Sequence, residues 1–330
     1  MFQWNIVIIL LTFNVFAEDV TVDHTKVLQN SVEPQQYMKT SKHLQNTKLP
    51  FEITANITYS AANYNILSNA NSILKWRDSK GFGSEFSTTA NLTNKFSITG
   101  SIANTKLNGG AMSDYDLANV YPDGGTFSEN TDMSGNIRNI SLFLGYDLKN
   151  TPKNTFTGLL GFRQYNLTFN PTDLYQVSVD KNSNTGTFNY LAGASQTTTM
   201  VIKGLQIGFN YEHKTSENHN YSIFTSVFLP THFSSKQYNW GYNTDGKWDW
   251  KLSSTGMEPF QNFGLNVKLQ SQVKVARNIW WNYYAFLNTI RVKSATEVDR
   301  KNNGATINII GDATNARMNQ FGIGMGVSFK

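Results

Sequence analysis

The sequence has no cysteine, few charged residues and no long hydrophobic run. The absence of cysteine from its 330 residues excludes disulfide frameworks, thiolate zinc sites and cysteine nucleophiles. No apolar stretch reaches the roughly 18 residues of a membrane-spanning helix, which excludes an ordinary helical membrane protein. Charged residues make up 15% of the chain, against roughly 25% in a soluble domain. The mild basic excess, +5 at pH 7, is scattered and gives no support to nucleic-acid binding.

The first 17 residues (MFQWNIVIILLTFNVFA) have the features of a secretory signal peptide. Their apolar core is too short to cross a bilayer, Ala17 fits a small-residue cleavage site, and Glu18 and Asp19 follow directly. A basic residue before the core is missing, so a buried N-terminal segment is the alternative. Residues 18–48 are polar, and we predict a low-order periplasmic extension there, with a short plug or a helix as alternatives.

From residue 49 onward the hydrophobic pattern has a period of two, which is typical of β-strands. The clearest segment ends the chain, where Phe321, Ile323, Met325, Val327 and Phe329 alternate with glycine and serine. Similar segments begin near residues 51, 96, 140, 205, 221 and 263. Each segment has one apolar, aromatic side and one side of small or polar residues.

The connections between these segments are alternately short and long. Short turns are predicted near 93–95, 149–154, 212–220 and 275–278, and long polar loops near 60–71, 108–134, 170–198, 239–258 and 298–315. This asymmetry is typical of an outer-membrane barrel, whose sheet must close in lipid. Four short turns and five long loops predict an all-β fold, a ten-stranded antiparallel transmembrane β-barrel over residues 49–330. A soluble sandwich is the alternative, although its polar faces would carry more lysine and glutamate.

Several aromatic residues suit the girdles that flank the lipid belt of such a barrel. They are Trp76, Trp280, Trp281, Tyr283, Tyr284 and Phe329.

Several stretches, taken in order, resemble the omptins, the outer-membrane endopeptidases of Gram-negative bacteria. They are 72–76 (SILKW), 109–116 (GGAMSDYD), 125–128 (GTFS) and 158–169 (GLLGFRQYNLTF). The resemblance implies a ten-stranded barrel with long extracellular loops in the bacterial outer membrane. It also implies a hydrolase that activates a water between an Asp pair and a His–Asp pair.

The Asp pair of this resemblance is present as Asp114 and Asp116. One residue separates them, so in a strand both carboxylates fall on one face, where they can hold and polarise a water. A solvated pair in a loop is the alternative interpretation. Glu129 matches an acidic position of the family's second loop and is a candidate for substrate binding.

The His half of the family's site is not found. The ungapped match places Lys236 and Tyr238 at the Asp-x-His positions, and neither accepts a proton at neutral pH as His does. On the predicted seventh strand, only His232 remains as a weak candidate for the base. The lipopolysaccharide contact of the family's fifth strand corresponds to uncharged Gln164 and Asn166. No motif indicates a cofactor or a metal.

Three functions therefore stay open. The first is a divergent endopeptidase that uses Asp114, Asp116 and either His232 or another base. The second is a catalytically inactive adhesin or surface-binding barrel, and the third, less favoured because ten strands enclose a narrow lumen, is a porin. The expected partners are outer-membrane lipid, lipopolysaccharide, and a peptide or protein substrate or host surface ligand.

Overall fold

The computed structural model describes the barrel part of the chain. The described residues are 51–68, 72–116, 126–130, 132–172, 174–179, 186–191, 195–240, 248–254, 262–302 and 305–330. The predicted signal peptide (1–17) and extension (18–48) lie outside these ranges. No helix within them is both long and apolar enough to cross a bilayer.

The described chain is all β, and its strands pair in antiparallel fashion. The strands are β1 (Phe51–Ser68), β2 (Ser72–Asn91), β3 (Phe96–Asn108), β4 (Ala111–Asp116), β5 (Thr126–Asn130), β6 (Asp132–Asn150), β7 (Asn154–Thr172), β8 (Leu174–Val179), β9 (Gly186–Leu191), β10 (Ser195–Ser216), β11 (His219–Trp240), β12 (Trp248–Ser254), β13 (Phe263–Ala276), β14 (Ile279–Asn302) and β15 (Ala305–Phe329).

Ten of these strands form a closed wall, which confirms the predicted ten-stranded antiparallel barrel. The wall order is β1-β2-β3-β6-β7-β10-β11-β13-β14-β15. It closes where β15 pairs with β1, from Ile53 opposite Phe329 to Ser68 opposite Thr314. The short strands β4, β5, β8, β9 and β12 extend the sheet beyond the wall.

The two ends of the barrel differ. Four tight turns at 92–95, 151–153, 217–218 and 277–278 lie at one end, hereafter the turn end. The opposite end, the ribbon end, carries β4, β5, β8, β9 and β12. Strands β14 and β15 have 24 and 25 residues, more than twice the roughly 9–11 that a tilted strand needs to cross a bilayer. The wall therefore extends well beyond the hydrocarbon at the ribbon end.

The outer surface next to the turn end is an apolar belt, as the alternation predicts. Ile57, Leu142, Ile207 and Phe321 are exposed there, while the intervening Asn56, Ser141 and Gln206 are buried inside. Outward apolar side chains occur on all ten wall strands. Exposed apolar surface on this scale is stable only against lipid, so the belt marks the membrane-spanning zone.

The predicted long loops are largely strand where the structure describes them. β1 continues to Ser68, and β14 and β15 leave only residues 303–304 between them. Beyond the belt the alternation inverts, because the outer face no longer meets lipid. In β1, apolar Tyr64 and Ile66 are buried inside, and polar Asn63 and Asn65 alternate with them.

The aromatic-girdle prediction is wrong for half of its residues. Trp281, Tyr283 and Phe329 are exposed on the outer surface, but Trp76, Trp280 and Tyr284 are buried inside the barrel. Adjacent residues in a strand face opposite sides, so Trp280 and Trp281 cannot share a surface. Composition near the strand ends does not reveal which residue of each pair faces lipid.

Candidate functional site

A kink separates the wall from the ribbon that carries the predicted Asp pair. Gly109 and Gly110 join β3 to β4 with φ values of +69° and +98°, which glycine adopts without strain. A Cβ on Gly110 would lie 2.4 Å from the Arg77 carbonyl oxygen. On the facing strand, Asp78 also has a positive φ, +58°, and its N–H donates to Asn63 Oδ1 at 2.8 Å.

Beyond the kink, the ribbon brings the predicted acidic residues onto two adjacent strands. Asp114 and Asp116 lie in β4, and Glu129 lies in β5. Ser113 is the residue opposite Glu129, and Ser128 is opposite Asp114. Side chains of the three acidic residues lie outside the described part of the chain, so their roles stay predictions. Their proximity along the backbone follows from the β4–β5 hairpin.

His232 lies at a bulge in the seventh wall strand. In β11 the pairing with β10 shifts at Lys203 and Gly204, which leaves Thr231 without an opposite residue. Thr231 and His232 are both exposed, and Phe233, the next residue, is fully buried. The bulge therefore changes which residues of β11 face inward, and His232 faces away from the barrel interior.

The other histidines that the structure describes lie at the turn end. His213 Nδ1 is 2.7 Å from Asn154 Oδ1, and His219 Nε2 is 3.0 Å from Ser271 Oγ. Both therefore lie far along the strands from the ribbon. His24 and His43 precede the described residues.

Toward the ribbon end, the barrel interior is filled by an apolar plug. The rings of Tyr64, Trp76 and Phe169 lie 5.1–5.9 Å apart, joining the first, second and fifth wall strands across the lumen. The other buried members of the plug include Leu107, Met112, Met133, Ile137, Tyr165, Leu167, Met200, Ile202, Phe228, Phe233, Ile290 and Met318. These buried side chains occupy the lumen at this level.

Below the plug, a charged network crosses the lumen. Lys268 Nζ on β13 donates to Glu85 Oε2 on β2 at 2.9 Å. The same carboxylate accepts hydrogen bonds from Tyr284 Oη at 2.9 Å and Asn56 Nδ2 at 3.0 Å. Gly324 makes room for the tyrosine ring, because a Cβ there would lie 2.4 Å from Tyr284 Cζ. The network ties three wall strands to the second one.

Sequence reasoning missed this interior network and the buried Arg163 near it. Glu85, Arg163 and Lys268 lie at inward positions of strands, where the alternation otherwise places small or neutral polar residues. A charged residue at an inward strand position is the signal that could have found them. Their pairing could not be read from the sequence, since 183 residues separate Glu85 from Lys268.

Comparison with known proteins places the chain among bacterial outer-membrane barrels by fold. It is similar to the solved structure of the outer membrane protease OmpT from Escherichia coli, with a TM-score of 0.71 and 14% identity over 86% of this chain and 99% of that one. Ail of Yersinia pestis also matches, with a TM-score of 0.26 and 9% identity over 85% of this chain and 100% of that one. No family model and no curated protein matches the sequence. The similarity to OmpT shows that the chain has an omptin-like fold.

The stretches that carry the sequence resemblance lie on the wall strands expected for them. Residues 72–76 begin the second wall strand, β2, and residues 158–169 lie in the fifth, β7. In β7, Gln164 Nε2 donates to Asn166 Oδ1 at 2.9 Å, so these two uncharged side chains are hydrogen-bonded to each other.

Proposed function

We propose that the protein is a non-conducting outer-membrane barrel that binds protein segments at the cell surface through its ribbon end. In this proposal the turn end faces the periplasm. The observation that carries it is the filled interior, since the plug and the Glu85–Lys268 pair occupy the lumen on two levels. A barrel filled in this way acts at its rim, not through its centre.

An open strand edge supports binding at the ribbon end. Among the described strands, β9 pairs only with β8 and ends the order of the sheet. Strand edges of this kind accept an extended peptide as an additional strand, because their N–H and C=O groups lack partners. We therefore favour an extended polypeptide segment as the ligand.

Planar-bilayer recordings test the non-conducting part of the proposal. We expect the purified protein to insert into the bilayer without stepwise conductance in concentrated KCl, because the plug closes the lumen. An established porin prepared in the same detergent serves as the positive control. Reproducible single-channel steps from this barrel would contradict the proposal and favour a narrow porin.

The outer face above the belt supports lipopolysaccharide as the lipid partner. Basic side chains there project outward, including Lys106, Arg138, Lys203, Lys236, Arg291, Lys293 and Arg317. Arg291 and Arg317 are exposed and lie directly opposite each other on β14 and β15. Like charges in this position repel, so an anion between them removes an unfavourable interaction. In this proposal, phosphate groups of lipopolysaccharide supply that anion.

Replacing both arginines tests this contact. We expect Arg291→Gln combined with Arg317→Gln to weaken lipopolysaccharide binding about tenfold or more, since two charge-assisted contacts are lost. Binding is measured by native mass spectrometry of the detergent-solubilised protein. The matched control is Lys153→Gln with Arg277→Gln, which removes the same charge from exposed positions at the turn end. Equal weakening in both variants would argue against a specific contact.

A divergent endopeptidase is the second candidate function. The favouring observation is that β4 and β5 place Asp114, Asp116 and Glu129 on one hairpin at the ribbon end, in a fold similar to that of an outer-membrane protease. In this candidate the Asp pair polarises a water that attacks the peptide carbonyl, and a base accepts its proton. His232 or another group serves as that base. Its outward orientation means that a role for His232 requires β11 to rearrange at the bulge.

A peptide-library digest separates the two candidates. If the protein is an endopeptidase, the wild type supplied with lipopolysaccharide cleaves peptides. The Asp114→Ala variant then cleaves them at least about a hundredfold more slowly. Glu217→Ala, at an exposed residue of the β10–β11 turn, is the matched control and keeps full activity. Products are identified by mass spectrometry. Peptide retention without cleavage favours the binding barrel, whereas identical cleavage by wild type and Asp114→Ala rules out this Asp-based protease.

A further inference from the structure

Arg163 is a buried cation without a carboxylate partner in the described part of the barrel. It lies in β7 with 7% of its surface exposed and points into the lumen. Its Nη1 donates to Tyr165 Oη at 2.9 Å and to Asn266 Oδ1 at 2.6 Å. These neutral acceptors orient the guanidinium but do not cancel its charge. A buried charge that is oriented and not neutralised is costly in the lumen of a membrane barrel.

Two hydrogen-bond donors at this site, one on the guanidinium itself and one on a neighbouring amide, lack protein acceptors. Arg163 Nε and Asn266 Nδ2 are both buried without a partner. Asn139 Oδ1 is also buried and unpartnered, and a 180° rotation of its amide presents a further donor. Unpaired buried donors call for an acceptor, and an ion or a water molecule beside them supplies one.

A cavity of about 80 Å³ adjoins these groups. Arg163, Asn139 and Asn266 line it, together with Glu85 and Lys268. At about 30 Å³ for each water molecule, the volume corresponds to roughly two to three waters, which suits a small ligand. Two cations and one carboxylate give the lining a net charge of +1, since Glu85 is already paired with Lys268.

We propose that this cavity binds one small monovalent anion of the halide class, with chloride as its usual occupant. The anion accepts hydrogen bonds from Arg163 Nε and Asn266 Nδ2 and brings the net charge of the cavity to zero. A water molecule satisfies the donors but leaves the net positive charge of the cavity unchanged. A divalent anion makes the net charge of the cavity negative. The site is independent of the surface function proposed above. It makes the stability of the barrel depend on the kind of anion present.

Bromide crystallography tests the site in the unaltered protein. Crystals grown in NaBr are expected to show one anomalous peak in the cavity, within hydrogen-bond distance of Arg163 Nε and Asn266 Nδ2. This measurement needs no variant, so it does not depend on the folding of a mutant. A cavity that contains only water, with no anomalous signal, would overturn the proposal.

Thermal unfolding in different salts gives a second readout. We expect the midpoint to rise by about 3 °C in NaCl or NaBr relative to sodium gluconate at equal ionic strength. The difference disappears in Arg163→Met. It persists in Arg277→Met, which removes an exposed arginine at the turn end. Equal midpoints of the wild type in halide and gluconate would also overturn the proposal.

Discussion

Replacing Glu85 by alanine is expected to destabilise the barrel by about 3 kcal/mol. The substitution leaves the Lys268 ammonium in the lumen without its carboxylate and removes the acceptor of the Tyr284 and Asn56 hydrogen bonds. The side chains of Lys268 and Glu85 are only 23% and 21% exposed, so water replaces the lost contacts poorly. Urea titration of the detergent-folded protein, followed by tryptophan fluorescence, measures the change.

A second ion pair of the same residue types provides the control. Lys330 Nζ lies 3.4 Å from Glu52 Oε1 at the turn end, where the chain meets water. Glu52→Ala is expected to cost about 1 kcal/mol, less than Glu85→Ala, because Lys330 Nζ keeps its hydrogen bond to Gln272 Oε1 at 2.8 Å. Adding Lys268→Met to Glu85→Ala should recover most of the loss, because the unpaired charge is then gone. If the two single variants lose equal stability, the lumenal pair has no special role.

Replacing Trp76 by alanine is expected to destabilise the barrel by about 3–5 kcal/mol. Trp76 is 1% exposed and stacks on Phe169 across the lumen with a centroid distance of 5.1 Å. The loss of the ring leaves a cavity that Tyr64 and Phe169, held by separate strands, fill only in part. The same urea titration measures the effect.

Trp281→Ala is the matched control for this variant. Trp281 is 43% exposed on the outer surface, so its removal exposes no interior cavity and should cost less than half as much. A similar loss for both variants would mean that the plug does not stabilise the barrel more than the lipid-facing belt does.

The membrane zone of the fold could be predicted from sequence because lipid imposes a strict alternation. Phe321, Ile323 and Met325 had to face hydrocarbon, and the glycines between them had to face the lumen. The extensions of the wall strands beyond the belt were missed because the alternation inverts there. In β1, apolar Tyr64 and Ile66 face inward and polar Asn63 and Asn65 alternate with them, so the lipid-facing pattern stops although the backbone pairing continues.

The candidate site was predictable only where its residues lie close in the chain. The Asp-x-Asp spacing identifies Asp114 and Asp116 as neighbours on a strand. Pro230 lies beside the β11 bulge and is a residue typical of bulges, but its presence alone does not show that His232 turns outward. The interior contacts are also hidden, because Arg163 meets Asn266 across 103 residues of separation. Such pairs follow from barrel closure, which no local pattern specifies.

The seam between β1 and β15 sets a condition on biogenesis. Its sixteen aligned residue pairs join the first and last strands of the barrel. This contact closes the largest loop of the chain, so we expect it to form late. A chain that ends before residue 305 lacks β15, which pairs with both β1 and β14. The unpaired edges of these two strands can then pair with strands of other proteins. The whole chain must therefore be synthesised before the barrel can close. We expect prematurely terminated chains to be degraded by proteases.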